Sequence, residues 1–323
     1  MKFNFSSIAC LTFTAFAMSS ANAQTTNFPS KPIRLIIPYE AGGATDVLGR
    51  LIANRLATAI KQPVVVENKA GAGGSIGATI VAKSKPDGYT LLLGTSSTHA
   101  INQWLYKSLP YDVIKDFASV SMVAKTDYAL TVPAASPAKS VADIINAAKT
   151  GRVMYASNGN GTTSHLASAL LGNRMHVKLD HIPYRSSSPA VIDLIAGNVD
   201  YSIDNTSTMI PNVNSGKLRI LATTGATRSP VLKNVPTMME AGVPEYDITG
   251  WWVISAAKGT PGEVVKYLNK EVTAVLNDQD VQKQLTSLGI EKYSSTPEEA
   301  DKFIESELKK FKNLVEIAGA KIE

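Results

Sequence analysis

The sequence predicts an α/β fold in two lobes. Short β-branched and aliphatic runs alternate with amphipathic helical patterns almost throughout, which is typical of an α/β protein with mainly parallel sheets. The pattern is interrupted at Lys125–Asp127, between two strand candidates, and at Gly242–Ile248, where turn residues precede an apolar strand. We expect the chain to pass from one lobe to the other at each of these two places, so that one lobe is inserted into the other. The two connecting strands would form a hinge that lets the lobes close on a ligand.

The strand candidates are short runs of apolar and β-branched residues between turn signals. In chain order they are Ile33–Pro38, Val64–Glu67, Thr90–Gly94, Val120–Ala124, Ala129–Val132, Val153–Ala156, His181–Tyr184, Asp200–Ile203, Leu218–Ala222 and Trp251–Ala256. Apolar residues recur at helical spacing in residues 47–60 and 304–315. A Thr followed by Pro and, three residues on, by Glu predicts helix starts at Thr260 and Thr296, and Ser140 with Asp143 is a weaker version.

The first residues have the pattern of a secretory signal peptide. Lys2 is the only charge in the first 30 residues, residues 8–18 are apolar apart from two Thr, and Ala21–Ala23 supplies a small-x-small cleavage pattern. We expect cleavage after Ala23 and export to the periplasm of a Gram-negative bacterium. The single Cys10 lies in this leader, so the mature chain is expected to lack disulfides, thiol nucleophiles and cysteine metal ligands.

The predicted division of the chain has three parts. Residues 1–23 form the signal peptide, residues 24–125 together with 248–323 form lobe 1, and residues 126–247 form the inserted lobe 2. The formal net charge is +5, from 32 basic and 27 acidic residues, and the two signs are interleaved. This charge pattern predicts neither a nucleic-acid tract nor a polybasic membrane patch. Separately, we expect the protein to be a monomer.

Three glycine-rich turns each follow an apolar run and lead into helix-forming sequence. They are Pro38–Asp46, Asn68–Gly77 and Ser157–His165. Glycine allows the backbone to approach a ligand closely, and the free N–H groups at the start of a helix favour an anion. The three turns are therefore candidate anion-binding loops.

Spacing argues against the cofactor, catalytic and metal sites that this sequence superficially offers. A dinucleotide-binding turn starting at Gly71 would need Gly or Ala where Ile76 stands, and no acid ends a strand about 20 residues further on. Ser136–Lys139 and Lys149–Gly151 match two motifs of exported acyl-enzymes, but the helix start predicted at Ser140 follows the Ser instead of including it. The four histidines lack metal-ligand spacing. We predict no catalytic residues, no metal and no cofactor.

Several segments together resemble one known family. They are PIRLIIPYEAGGATD, VVVENKAGAGGSIGA, KPDGYTLLLGTSSTHAIN, SNGNGTTSHLA, AGNVDYSIDN, GKLRILATTGATRSPVLKNVPTMMEAGVPEYDITGWW and KGTPGEVV. The chain from about Pro29 onward resembles the Bug (TctC-like) solute receptors of tripartite tricarboxylate transporters. The resemblance implies a type II periplasmic-binding-protein clamshell that binds a small carboxylate and delivers it to membrane permease subunits. A ligand sensor feeding a membrane signalling protein, and an exported serine acyl-enzyme or hydrolase, remain as alternatives.

The resemblance also implies where the ligand sits. Lobe 1 would hold a carboxylate through backbone groups and ordered waters of the first two glycine loops, and lobe 2 would close on it with the third. Glu40 departs from the small or apolar residue usual there, which favours a ligand with a cationic group. The predicted ligand-binding residues are Tyr39, Glu40, Gly42, Gly43, Ala72, Gly73, Gly74, Thr95 and Ser96 in lobe 1, and Ser157, Gly161, Thr162, Thr163, His165, Asp204 and Asn205 in lobe 2.

Overall fold

The computed structural model of the protein describes residues 28–321, so the predicted signal peptide, Cys10 and the cleavage site after Ala23 lie outside the described residues. The strands are β1 (Ile33–Ile37), β2 (Val64–Asn68), β3 (Thr90–Thr95), β4 (Phe117–Pro133), β5 (Met154–Ser157), β6 (Asp180–Pro183), β7 (Tyr201–Asn205), β8 (Leu218–Thr223), β9 (Thr249–Ala257) and β10 (Glu291–Lys292). The helices are α1 (Ala44–Ile60), α2 (Ser75–Ala82), α3 (Asn102–Leu105), α4 (Val141–Thr150), α5 (Thr163–Met175), α6 (Ser187–Ala196), α7 (Thr206–Asn214), α8 (Gly262–Asn277), α9 (Gln279–Ser287) and α10 (Pro297–Ala318). Within residues 28–321, no helix has the length and apolar character needed to cross a membrane.

The strands pair in the order β2-β1-β3-β9-β4-β7-β5-β6, and β8 and β10 also pair with β4. β1 lies parallel to β2 and β3, and β5 lies parallel to β6 and β7. β4 and β9 are antiparallel to each other and to their outer neighbours. The prediction of mainly parallel sheets is therefore wrong: the sheet is mixed, because two long antiparallel strands run through its middle.

β4 is the strand that connects the two halves of the sheet. The sequence predicted two separate strands, Val120–Ala124 and Ala129–Val132, but the structure has one strand of 17 residues. Its central residues Lys125–Asp127 pair with Thr249–Trp251 of β9. The polar central residues resemble a break in the sequence, yet β9 provides their backbone hydrogen-bond partners. This pair of strands supports the proposed division, and we keep lobe 1 for residues 28–125 with 248–321 and lobe 2 for residues 126–247.

Helices cover the sheet and bury its apolar side chains. Leu48 and Ile52 of α1, with Leu268 and Val272 of α8, pack in one core cluster with Leu35 of β1. A second cluster contains the apolar faces of α5 and α10 and extends into lobe 2. The helical spacing predicted at residues 304–315 is confirmed, because Ile304, Leu308, Phe311 and Val315 are buried on one face of α10.

Two of the three predicted helix caps are confirmed. The Thr296 hydroxyl accepts from the Glu299 N–H at 3.2 Å while the Glu299 carboxylate accepts from the Thr296 N–H at 2.9 Å. Ser140 and Asp143 form the same reciprocal box at the start of α4. The capping box, in which the side chains at the helix start and three residues later each accept from the other's backbone N–H, is wrongly predicted at Thr260. There α8 begins one residue later than expected, and the Thr260 hydroxyl donates to the carbonyl of Ala257.

Candidate functional site

A cleft of about 1120 Å³ is lined by residues of both lobes. It is bordered by the starts of α1, α5, α6 and α7 and by the turn before α2. The predicted residues that line it are Tyr39, Glu40, Gly42, Gly43, Ala72, Gly73, Gly74, Thr95 and Ser96 from lobe 1, and Gly161, Thr162, Thr163 and Asn205 from lobe 2. Ser157, His165 and Asp204 do not line it. The structure thus brings all three glycine turns to one cavity.

A buried carboxylate holds the first glycine loop in place. Asp46, in the first turn of α1, accepts from the Gly42 N–H at 2.9 Å, from Arg50 Nε at 3.0 Å and from Asn68 Nδ2 at 2.9 Å. The Asn68 amide also donates to the Tyr39 carbonyl at 3.0 Å. Burial of Asp46 would raise its pKa, but hydrogen bonds from Arg50, Gly42 and Asn68 outweigh burial and hold the pKa below its usual value. The loop shape is therefore fixed by a charged network behind it.

The second glycine loop has a backbone conformation that requires glycine. Gly71, Gly73 and Gly74 all have positive φ, at 126°, 61° and 90°. A Cβ on Gly74 would lie 2.7 Å from the Thr98 side chain, so both the backbone angle and the close approach exclude larger residues. The Asn102 amide donates to the Gly73 carbonyl at 3.0 Å and holds the turn in place. The turn is thereby held rigid where it faces the cleft.

Buried polar groups support the end of β3. The Thr98 hydroxyl accepts from the Thr95 N–H at 2.9 Å and lies 3.0 Å from His99 Nδ1. His99 Nε2 in turn lies 3.1 Å from the Ser255 hydroxyl of β9. Complete burial lowers the pKa of His99 to about 3, so this ring is neutral at physiological pH. The Tyr39 hydroxyl, 2.8 Å from Thr95 Oγ1, ties this strand end to the first glycine loop.

The two lobes touch across the cleft. The Ser96 hydroxyl of lobe 1 lies 3.4 Å from the Thr163 hydroxyl of lobe 2. Beside this contact, Leu105 of α3 packs so closely on Gly161 that an added Cβ would overlap its side chain. The third glycine loop is therefore the part of lobe 2 that meets lobe 1.

His165 and Ser157 lie behind the third glycine loop instead of facing the cleft. His165 Nδ1 accepts from the Gly161 N–H at 3.1 Å, and its ring stacks on His181 with centroids 4.0 Å apart. His181 Nε2 lies 2.6 Å from the Ser157 hydroxyl. Burial lowers the pKa of both His165 and His181 to about 4. The predicted ligand contact at His165 is thus a support for the loop backbone, and Thr162 caps α5 at the cleft.

The structure adds cleft residues that sequence reasoning did not select. Arg185 and Ser186–Ser188 line the cleft at the start of α6, Ser207 and Thr208 line it at the start of α7, and Tyr128 reaches it from β4. The run of three Ser before an apolar helix was an available helix-start signal. Of the residues lining the cleft, Arg185 is the only one with a cationic side chain and Glu40 the only one with an acidic side chain, and both are exposed.

The cleft is chemically suited to hold an anion mostly through neutral groups. The starts of α1, α5, α6 and α7 lie at its wall, and the first N–H groups of a helix have no partner within the helix and carry a partial positive charge. Hydroxyls of Thr95, Ser96, Thr163 and Ser188 add further donors and acceptors.

The residues of the acyl-enzyme alternative, Ser136 and Lys139, lie in a turn before α4, where the Ser136 hydroxyl accepts from the Ala138 N–H. Residues 28–321 contain no cluster of side chains that could hold a metal ion.

Two α/β lobes that share a pair of central strands and enclose a polar cleft define a clamshell solute-binding protein. The chain belongs to the family described as tripartite tricarboxylate transporter family receptors, whose pattern matches residues 48–320. Protein BugT of Bordetella pertussis is 36% identical over 314 residues, with 96% of each chain covered. A protein from the tcbD-tcbE intergenic region of Pseudomonas sp. strain P51 is 39% identical, covering 93% of this chain and 90% of its own. The family assignment made from the sequence is confirmed.

Solved structures of similar proteins confirm the clamshell fold. A protein of R. palustris solved with adipate has a TM-score of 0.86 and 36% identity, and covers 91% of this chain and 100% of its own. The periplasmic binding protein BugD has a TM-score of 0.82 and 31% identity, covering 92% and 100%. MatC from Rhodopseudomonas palustris, with bound malate, has a TM-score of 0.80 and 30% identity, covering 89% and 100%.

Proposed function

We propose that this protein is a periplasmic receptor that captures a small organic carboxylate between its lobes and delivers it to the membrane subunits of a tripartite tricarboxylate-type transporter. The observation that carries this proposal is the convergence of helix starts from both lobes on one polar cleft. Such a cleft stabilises a carboxylate through backbone N–H groups and hydroxyls without a dense cluster of cations. Adipate and malate in similar structures support the same ligand class.

Each lobe has a separate task in this proposal. In lobe 1, the loops Tyr39–Gly43 and Gly71–Gly74 are rigid, because Asp46 and Asn102 fix them from behind, and they hold one carboxylate. In lobe 2, Thr162 and Thr163 at the start of α5 meet the ligand as the lobes close. Arg185 adds the cation that a second carboxylate would pair with. Binding and release are the whole task, and the function requires no bond to be made or broken.

The direct test is a melting-temperature screen with small mono-, di- and tricarboxylates, including adipate and malate. A ligand present at 100 times its Kd stabilises the folded protein by about 2.7 kcal/mol, which shifts the melting temperature measurably. Amines and neutral sugars of similar size serve as controls and should give no shift. A complete carboxylate panel without any shift would contradict the proposed ligand class.

Delivery to a transporter requires a test in cells. Removing the gene for this protein should abolish uptake of the carboxylate found in the screen, and restoring the gene should restore uptake. The same experiment examines the sensor alternative, in which uptake continues while the transcriptional response to the ligand disappears.

Size-exclusion chromatography of the mature chain tests the proposed monomeric state.

A further inference from the structure

A carboxyl group without a cationic partner lies directly beneath the lobe 2 wall of the cleft. Asp204 is the next-to-last residue of β7 and is completely buried. One of its oxygens, Oδ1, accepts from the Asn205 N–H at 2.7 Å. The other oxygen, Oδ2, is buried and has no hydrogen-bond partner. A buried carboxylate oxygen that lacks a donor is costly to keep ionised.

The groups between Asp204 and the cleft are polar and neutral. Ser187 of α6 and Asn205 lie beside the carboxyl and line the cleft, and they favour its ionised form without completing a hydrogen bond to Oδ2. Thr163 of α5 and Tyr128 of β4 continue the same wall. Tyr128 is the titratable group that faces Asp204 from a neighbouring strand, and burial raises its pKa so that it stays neutral.

This environment favours the protonated form of the carboxyl. Burial raises the pKa of Asp204 from 3.8 to about 6. An anion bound at Ser187 and Asn205 would place a second negative charge near the first, which raises the pKa further. By linkage, a ligand that raises a pKa binds more tightly to the protonated protein, so its affinity increases as the pH falls.

We propose that Asp204 couples capture of an anionic ligand to the uptake of one proton. The proton comes from solvent and binds at Oδ2, the oxygen without a partner. When Asp204 is ionised, it competes with the ligand for the Ser187 hydroxyl and the Asn205 side chain; when it is protonated, both groups are free to serve the ligand. Asp204 is thus a positioning residue that acts through its neighbours. This inference rests on the proposed function as a carboxylate receptor.

Calorimetry tests the coupling in the intact mature chain. Adipate, malate and the carboxylate with the largest melting shift are titrated between pH 5 and pH 8 in pairs of buffers with different ionisation enthalpies, which counts the protons taken up. We expect proton uptake to be small at pH 5 and to approach one proton per ligand above pH 6, where the affinity should fall by up to tenfold per pH unit. Asp204→Asn keeps the acceptor for the Asn205 N–H and should lose both effects.

Asp200→Asn is the matched control. Asp200 directly precedes β7 at its other end, where its carboxylate accepts from the Met154 N–H at 2.7 Å, away from the cleft. This variant should take up protons on binding as the wild type does. A second readout needs no ligand: the raised pKa of Asp204 contributes stability that is lost as the pH rises from about 4 to 6, so the stability of the wild type relative to Asp204→Asn should fall over this range.

The outcomes separate this inference from the function on which it rests. Ligand binding with a proton count that Asp204→Asn leaves unchanged overturns the coupling and leaves the receptor function intact. Proton release instead of uptake also overturns it, and indicates that a ligand amine or hydroxyl meets Asp204. Absence of binding by every probe at every pH overturns the receptor function, and the coupling with it.

Discussion

Gly161→Ala is expected to lower ligand affinity about tenfold to hundredfold. The new methyl group would overlap Leu105 of the opposite lobe, so the variant cannot bring its lobes as close together as the wild type. Overpacking of this kind costs about 1–3 kcal/mol, and we expect the cost to fall on the arrangement in which the lobes touch, which is the one proposed to hold the ligand. Calorimetry with the carboxylate found in the screen measures the loss directly.

A matched glycine separates the effect on closure from ordinary backbone strain. Gly216 has the same φ of 72° as Gly161, but an added Cβ there meets nothing within 4 Å. Gly216→Ala should therefore lower stability by about 1 kcal/mol through strain and leave affinity unchanged. Truncating the clashing partner, in the double variant Gly161→Ala with Leu105→Ala, should restore part of the affinity. Equal affinities for the wild type and Gly161→Ala would show that closure does not bring these residues together.

Asp46→Ala is expected to lower both stability and affinity. The substitution removes the acceptor shared by the Gly42 N–H, Arg50 and the Asn68 amide. Hydrogen bonds to a charged group contribute about 1.5–3 kcal/mol each when buried, but Arg50 is half exposed, so we expect a net loss of about 2–3 kcal/mol. Affinity should fall as well, because the first glycine loop would have to be ordered when the ligand binds. Urea denaturation and calorimetry measure the two losses.

The stability that Asp46 contributes should depend on pH in a definite direction. The pKa of Asp46 is held below its usual value, so its contribution is complete above the pKa that it has in the unfolded chain. The contribution is lost as the pH falls through the lower folded-state pKa. The difference in stability between the wild type and Asp46→Ala should therefore shrink in acid. A difference that is constant down to strongly acidic pH would contradict the proposed role of the ionised carboxylate.

Glu240→Ala is the control for a loop carboxylate outside the cleft. Glu240 also accepts from an arginine and a backbone N–H, with Arg228 Nε at 2.8 Å and the Thr237 N–H at 2.9 Å. Its pKa is likewise held below the usual value by these hydrogen bonds. This variant should lose stability and keep its ligand affinity. Loss of affinity in both variants would indicate a general loss of folding instead of a local effect on the first glycine loop.

The sequence predicted those strands that are bounded by strong turn signals and missed those that depend on a partner. β1, β2 and β3 lie within a residue or two of their predicted bounds, because glycine and proline mark their ends. The two residues of β10 have no pattern of their own and are strand only because they pair with Lys125 and Ala124 of β4. Pairing between distant segments leaves no local signal.

The difference between local signals and distant contacts also explains which residues of the candidate site were predicted and which were missed. Glycine turns before helices are local signals, so the three loops were found from composition alone. The direction of a side chain is decided by packing, which explains why His165 stacks on His181 behind its loop and why Asp204 points beneath the cleft wall. Arg185 was missed because α6 reaches the cleft only through the fold of lobe 2. Binding by residues such as Tyr39 and Thr162 stays a prediction.

The shared strand pair also determines how this protein can be assembled from its chain. Leu91 of β3 pairs with Ala256 of β9, and all of lobe 2 lies between them in the sequence. The sheet of lobe 1 therefore cannot be completed until the whole inserted lobe has left the ribosome, and such contacts between distant segments slow folding. A chain that folds late can still pass through a translocation channel as an extended polymer. Insertion of one lobe into the other thus delays the compaction of lobe 1 until β9 has been synthesised, which would suit a chain that is exported as proposed above.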